Sequence, residues 1–178
     1  MQLNQSIWFY LAIPLLWLST PTFSATTQTT GPANKQSAST LYKEECASCN
    51  MAYPAELLPA RSWKKILNSL DKHFGDNATL DPATLQTLSQ YLQDNSADAS
   101  DSRRGRKILR TITGDSTPLR ITETPYIRRK HHEIPARYIT GNPQVKSLSN
   151  CVACHQGAER SSFHEHDVRI PGYGRWDD

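Results

Sequence analysis

The chain has 178 residues, of which 37% are hydrophobic and 21% charged, and its formal net charge is +3. This length suffices for one domain or for two small lobes that share a core. The small net charge indicates no class of partner by itself. Because Leu, Ile and Val are sparse after the first 25 residues, we expect a core too thin to be filled by side chains alone.

The N-terminal residues have the features of an export signal. An uninterrupted apolar run of 12 residues spans Ile7–Leu18, and small residues follow where a signal peptidase would cut, after Ser24 or Ala25. A retained membrane anchor is the alternative, but a spanning helix needs about 20 apolar residues and Pro14 interrupts this run. We therefore predict a signal peptide over 1–25, export, and no stable membrane insertion afterwards.

The remaining chain divides by composition. Residues 26–40 are rich in Thr, Ser and Ala and predict a flexible linker. Residues 41–178 form the mature domain, and the polar segment 95–102 suggests a boundary between two lobes of about 41–100 and 101–178.

Apolar side chains spaced three and four residues apart predict an all-α fold, and no stretch predicts a strand. In the first predicted helix Ser62 is the cap and His73 lies at the edge of the apolar stripe. In the fourth, His131 lies between Ile127 and Ile134 on the apolar face, so both histidines are expected to face inward. The predicted helices are 62–74, 82–95, 103–113, 125–134 and 143–155.

All four cysteines lie in two C-x-x-C pairs, and His155 directly follows the second pair, Cys151 and Cys154. C-x-x-C-H is the pattern for covalent attachment of c-type haem, with the cysteines forming thioethers and the histidine binding the iron. Disulfides are the ordinary alternative in an exported protein. A zinc site is disfavoured because zinc ribbons have about 15–20 residues between pairs, and a thioredoxin-like site is disfavoured because no βαβ pattern is present.

A second axial ligand is expected if the haem iron serves electron transfer, and the inward-facing His131 and His73 are the candidates. Met51 lies too close to the first pair to reach across a haem held there. His164 and His166 stand among acidic and hydroxyl residues and are expected to be exposed.

Several segments, in order, resemble the small dihaem cytochromes c of the bacterial periplasm. The resemblance implies all-helical packing around two covalent haems, with Cys46 and Cys49 holding one and Cys151, Cys154 and His155 holding the other. It also implies that His73 and His131 are the distal axial ligands. The segments are CASCNMAYPAELLPARSW, DKHFGDNATLD, TPYIRRKHHEIPARY and CVACHQGAERSSFHEHDVRIPG.

Asn50 stands where the family pattern has the histidine of the first motif. The first haem could be attached and held by His73, with Asn50 as a weak ligand at most, which would leave a position open for a small molecule. The site could instead be empty, with Cys46 and Cys49 free or joined in a disulfide. One haem c is therefore expected at the second motif, and a second haem c at the altered one.

The expected function is electron transfer in the periplasm rather than enzymatic catalysis. The alternative is a small-ligand-binding or peroxidase-like haem protein that uses an open coordination position at the first haem iron. A third hypothesis is a thiol-disulfide module based on Cys46 and Cys49. The segment between Asp101 and Tyr138 contains ten basic and four acidic residues. An acidic redox partner could dock there, or these basic side chains could pair with haem propionates. A membrane cytochrome b or another cytochrome c is the implied partner, and nucleic acid is not expected.

Overall fold

The computed structural model of the chain describes residues 32–49 and 51–176. The predicted signal peptide at 1–25 and Asn50 lie outside the described residues. In the part that is described, no helix combines the length and the apolarity that crossing a bilayer requires.

Helices dominate the described chain, which confirms the predicted all-α class. The α-helices are α1 Pro32–Cys46, α2 Ala60–Leu67, α3 Pro82–Asp94, α4 Arg103–Leu109, α5 Pro125–His131 and α6 Cys151–Cys154. Short 3-10 turns lie between and after them, at Ala55–Leu57, Leu70–Lys72, Ile121–Glu123, Ala136–Tyr138, Ala158–Arg160 and Glu165–Asp167. The strands are β1 Arg169–Ile170 and β2 Gly174–Arg175.

Helix α1 begins at Pro32, inside the segment 26–40 that composition predicts to be a linker. Proline is well tolerated at the first position of a helix, and the buried side chains of Ala38 and Tyr42 lie on α1. The ring centroid of Tyr42 is 5.4 Å from that of Tyr91 on α3. Packing against α3 therefore supports helix in a region whose composition alone favours coil.

Helix α2 differs from its prediction at both ends. It begins at Ala60, so Ser62 is a fully buried residue inside the helix rather than its cap. It stops at Leu67 because Ser69 turns its hydroxyl back to the carbonyl oxygens of Lys65 and Ile66, which competes with continued helix. His73 consequently lies beyond α2 rather than on its face.

Helices α3 and α4 begin with side-chain caps. Asp81 accepts hydrogen bonds from the N–H groups of Ala83 and Thr84 at 3.0 and 3.1 Å, which confirms the predicted start of α3. Ser102 accepts in the same way from Arg104 and Gly105. Helix α4 ends at Leu109, earlier than the predicted 113, and 3-10-type turns continue it.

The prediction of a long last helix over 143–155 is wrong, because α6 contains only Cys151–Cys154. The side chain of Asn142 accepts the N–H of Gln144 at 3.0 Å and forms a turn. Lys146 has a φ of 65°, which is incompatible with a right-handed helix. Helix α5 likewise stops at His131, before the predicted end at 134, ahead of Pro135.

The largest buried cluster joins α1, α2 and α3. Its residues all come from the first half of the described chain: Tyr42, Ala55, Leu58, Trp63, Ile66, Leu67, Leu88 and Leu92. The Trp63 indole donates a hydrogen bond to the Ala55 carbonyl oxygen at 2.7 Å, so its one polar group is satisfied in the core.

The short antiparallel pair of β1 and β2 has no counterpart in the sequence prediction. Ile170 pairs with Gly174, and the connecting Gly172 has a φ of 75°, a conformation that glycine adopts readily. Two-residue strands are too short to give an alternating pattern. An isolated bridge pairs Val168 with His155, so this C-terminal segment packs against the second motif.

Candidate functional site

The second C-x-x-C pair lies on the single turn of α6. The N–H of His155 donates to the carbonyl oxygen of Cys151 at 2.8 Å, which fixes the histidine directly after the turn. Neither Cys151 nor Cys154 is in a disulfide. Burial raises the pKa of the Cys151 thiol to about 11 and also raises that of Cys154, so both are protonated thiols near neutral pH.

The imidazole rings of His131 and His155 are neighbours, with centroids 6.1 Å apart and an interplanar angle of 69°. Two imidazoles that bind one metal ion from opposite sides through metal–nitrogen bonds of about 2 Å have centroids about 6 Å apart. The pair is therefore spaced as two axial ligands of one iron would be. The sequence predicted both residues as site residues, and the structure brings them together.

Local hydrogen bonding orients His131 for such a role. Its Nδ1 lies 2.8 Å from the carbonyl oxygen of Ile127. Because a carbonyl oxygen can only accept, Nδ1 carries the proton and Nε2 of the neutral ring keeps a free lone pair. The neighbouring His132 is exposed, and its Nδ1 bonds instead to the carbonyl oxygen of Arg129.

His155 has the electronic state that metal ligation needs. Burial, together with the nearby His131 and Arg104, lowers its pKa to about 4, so the ring is neutral near pH 7. Its Nδ1 is buried and has no hydrogen-bond partner among the described residues. A buried ring nitrogen without a protein partner calls for an explanation, and a bound prosthetic group would supply one.

A stack of three side chains lies beside His155. The ring of Phe163 lies against it with centroids 5.4 Å apart, and the guanidinium of Arg104 lies 4.7 Å from the Phe163 centroid. Arg104 also forms an ion pair with Glu56 at 2.9 Å and donates to the carbonyl oxygen of Ser161 at 3.2 Å.

The first C-x-x-C pair lies at the end of α1. Cys46 packs against the main hydrophobic cluster, whereas Cys49 is exposed, and neither is in a disulfide. Burial, aided by the negative charge of Glu45, raises the pKa of Cys46 to about 11. A reactive redox thiol requires a lowered pKa, so this environment does not favour a thiol-disulfide module.

His73 lies in the loop that follows the turn Leu70–Lys72. Its ring centroid is 4.7 Å from that of Phe74, and the guanidinium of Arg120 lies 4.1 Å from the Phe74 centroid. Burial lowers the pKa of His73, Asp76 raises it and Arg120 lowers it, and the net direction is down. Within the described residues, His73 stacks against no second histidine, in contrast to His131.

The two motif segments are joined through Tyr53. Its hydroxyl donates to the carbonyl oxygen of Ser149, just before the second motif, and its own carbonyl oxygen accepts from the Tyr42 hydroxyl on α1. Burial, with a contribution from Cys151, raises the pKa of Tyr53 to about 12, which keeps the hydroxyl a donor. No sequence pattern indicated this link.

The basic segment between Asp101 and Tyr138 is only partly engaged in ion pairs. Arg104 bonds to Glu56, Lys130 to Glu165, and Arg120 lies 3.8 Å from Glu123. The other side chains with basic groups are exposed on α4, on α5 and next to Tyr138, at Arg103, Arg106, Lys107, Arg110, Arg128, Arg129 and Arg137.

The structure places His164 and His166 at exposed positions, as predicted. No cluster of three or more His, Cys, Asp or Glu side chains that could hold a metal ion is found in the described part of the chain. Sequence reasoning missed the hydrogen bond of Tyr53 and the ion pair of Glu56 with Arg104. None of these contacts belongs to a short motif, because the partners are distant in sequence.

Comparison with known proteins gives one family. A family model described as dihaem cytochrome c matches residues 42–163, which is more than half of the chain. No protein with curated functional information matches.

Solved structures of dihaem cytochromes c are similar to this chain. One from Shewanella baltica is 42% identical, with a TM-score of 0.66, over 79% of this chain and 98% of that one. One from Rhodobacter sphaeroides is 46% identical, with a TM-score of 0.63, over 70% of this chain and 95% of that one. A further structure purified from the same organism is 41% identical, with a TM-score of 0.54, over 70% and 96%.

Proposed function

The chain belongs to the dihaem cytochrome c family and has haem c as its cofactor, and from this premise we propose that it carries electrons in the periplasm between redox protein partners. The observation that carries the proposal is the spacing of His131 and His155, whose ring centroids are 6.1 Å apart. Two imidazoles at this distance, with His131 oriented by its hydrogen bond to Ile127, suit an iron that changes oxidation state without changing ligands.

At the second motif, Cys151 and Cys154 would form the two thioethers and His155 and His131 would be the axial ligands. Bound there, the haem supplies one-electron redox chemistry at its iron. The chain supplies the rest. The Ile127 carbonyl oxygen holds the proton on Nδ1 of His131, and α6 and the β1 segment hold His155 in place. Two imidazoles give a lower reduction potential than a methionine–histidine pair does.

At the first motif, Cys46 and Cys49 would attach the other haem and His73 would bind its iron. Burial lowers the pKa of His73, which favours the neutral imidazole that ligation requires. Asn50, in the place of the expected histidine, leaves the first iron with one strong protein ligand. The second candidate function, binding of a small ligand or a weak peroxidase-like activity, rests on this substitution, and the second haem would then supply electrons.

A basic surface suits the proposed partners. The exposed arginines and lysines of α4 and α5 lie on the same chain segment as His131. Positive charge there would speed encounter with an acidic redox protein without requiring a large interface. A membrane cytochrome b and another cytochrome c are the classes of partner proposed, and the apolar N-terminal run supports export to the periplasm.

The proposal is tested on protein exported from a host with haem-attachment machinery. Intact mass and a pyridine haemochrome assay give the number of haems per chain, and a potentiometric titration follows their oxidation and reduction. We expect reversible one-electron steps and a low-spin spectrum for the haem at the second motif. Absence of covalent haem, or a predominantly high-spin second haem, would contradict an electron carrier of this kind.

A further inference from the structure

The stack of Glu56, Arg104 and Phe163 beside His155 is not explained by haem attachment. Arg104 is only 28% exposed and Glu56 26% exposed, and their charged atoms are 2.9 Å apart. The guanidinium is held by three contacts at once: with Glu56, with the Ser161 carbonyl oxygen and over the Phe163 ring. An ion pair anchored so firmly is unlike an ordinary surface pair, whose side chains are solvated and screened.

The ion pair lies close enough to the proposed axial ligand to act on it electrostatically. Phe163 contacts both groups: its ring centroid lies 4.7 Å from the Arg104 guanidinium and 5.4 Å from the His155 ring centroid. Since oxidised haem carries one more positive charge than reduced haem, a fixed cation nearby disfavours the oxidised form and a fixed anion favours it.

We propose that the charges of Arg104 and Glu56 set the reduction potential of the haem at the second motif, with Arg104 raising it and Glu56 lowering it. The inference rests on the proposed function, because it requires a haem bound by His155. Both residues act through fixed charge, and Phe163 holds the distance between that charge and the ligand.

A similar arrangement near His73 provides an internal comparison. Arg120 lies over Phe74, and Phe74 lies against His73, at 4.1 and 4.7 Å. Arg120 is however 47% exposed, and its acidic partner Glu123 is 62% exposed at 3.8 Å. Solvent screens exposed charges more strongly, so Arg120 is expected to affect its own site less than Arg104 affects the second motif.

The test is a potentiometric titration of the full-length holoprotein and its variants. Arg104→Met should lower the potential of the second haem and Glu56→Gln should raise it, so that the reduced-to-oxidised ratio at a fixed ambient potential changes several-fold in opposite directions. The double variant should return towards the wild type. Arg104→Lys keeps the charge and should keep most of the potential even if it loosens the stack.

The comparison variant Arg120→Met should leave the potential of the second haem unchanged. A shift in the same direction for Arg104→Met and Glu56→Gln would overturn the proposal, since it would indicate a packing change rather than a charge effect. A shift in Arg104→Lys as large as that in Arg104→Met would overturn it as well.

Failure of the inference can be distinguished from failure of the proposed function. Circular dichroism and the haemochrome assay first establish that each variant is folded and carries the same haem as the wild type. If the wild type has a low-spin second haem and the charge variants do not move its potential, only the inference fails. If the wild type has no such haem, the proposed function itself fails.

Discussion

Tyr53 donates a hydrogen bond of 2.5 Å to the carbonyl oxygen of Ser149, across 96 residues of sequence. Tyr53 follows the first C-x-x-C pair and Ser149 precedes the second. The bond therefore joins the two motif segments directly.

The Tyr53 link can be tested by removing a single oxygen atom. Tyr53→Phe deletes the donor and leaves the Ser149 carbonyl oxygen without this partner, which should cost about 0.5–1.5 kcal/mol in the free energy of unfolding. Urea denaturation followed by far-UV circular dichroism measures the change. Tyr126→Phe is the matched control, because Tyr126 contacts Arg129 through its ring. Equal losses in both variants would show that the hydrogen bond is not the cause.

Replacing the proposed distal ligand should open the second iron. We expect His131→Ala to convert the second haem from six-coordinate low-spin to five-coordinate high-spin, because no other described imidazole neighbours His155. A ferrous CO difference spectrum should then show binding of about one additional CO per chain. His132→Ala, the adjacent exposed histidine, is the control and should leave the spectrum unchanged. An unaltered spectrum in His131→Ala would rule out His131 as a ligand.

Restoring the missing histidine of the first motif should close the first iron. The wild type is expected to carry two haems and to bind CO at the first, because Asn50 is a weak donor in place of imidazole. Asn50→His should keep two haems by intact mass and abolish most of this CO binding. The control is Asn68→His, which adds a histidine at an exposed position after α2. A wild type with one haem that gains a second in Asn50→His would mean that the native first site is empty.

Asp98 should make the stability of the protein depend on acid pH. Its carboxylate accepts the Ser96 hydroxyl at 2.6 Å and the N–H of Ala60, the first residue of α2, at 2.9 Å. Partial burial raises the pKa of Asp98, but these hydrogen bonds and the charge of Arg61 outweigh it, so the net pKa is lowered. A group with a lowered folded-state pKa stabilises the fold above its unfolded pKa, and this contribution disappears as the pH falls through the folded value.

Asp98→Ala should therefore lower the urea midpoint near neutral pH and have a much smaller effect below about pH 3. Asp115→Ala, at an exposed carboxylate in the loop after α4, should change the midpoint little at either pH. An effect of Asp98→Ala that is the same at both pH values would point to lost packing instead of the ionised carboxylate.

The basic surface should discriminate between small redox reagents by charge. Oxidation of the reduced protein by anionic hexacyanoferrate(III) should slow in Arg110→Glu/Arg128→Glu, and oxidation by cationic tris(phenanthroline)cobalt(III) should quicken, because both arginines are exposed. Added salt should diminish both differences. The control reverses charge elsewhere, in Lys64→Glu/Lys65→Glu on α2, and should affect both reagents less. Equal effects of the two double variants would mean that only the net charge matters.

The sequence predicted the fold best where local chemistry decides it. Asp81 and Pro82 start α3 as expected, because a capping carboxylate and a proline at the first position act within a few residues. The same reasoning failed over 143–150, where a side-chain turn at Asn142 and the left-handed Lys146 end the helical pattern. Helix α1 begins at Pro32, inside a segment whose composition favours coil, and its Tyr42 packs on Tyr91 of α3.

The candidate site likewise has residues that the sequence predicted and residues that it did not. The cysteines and His155 are recognisable because attachment chemistry fixes their spacing, and His131 follows from its position on the apolar face of a short helix. Glu56, Arg104 and Phe163 come from three separate regions of the chain, and only folding brings them together. No periodicity or motif could have indicated that contact.

The position of the main hydrophobic cluster has a consequence for how the protein matures. The clustered side chains all lie between Tyr42 and Leu92, whereas the second motif is surrounded by short turns and a two-residue hairpin. If the second motif binds haem as proposed, the N-terminal half can collapse around its own side chains while the C-terminal half still lacks an apolar group as large as haem. We therefore expect the segment around Cys151 to stay open to the attachment machinery until haem arrives. Protease digestion of chains made without haem should accordingly begin in that half.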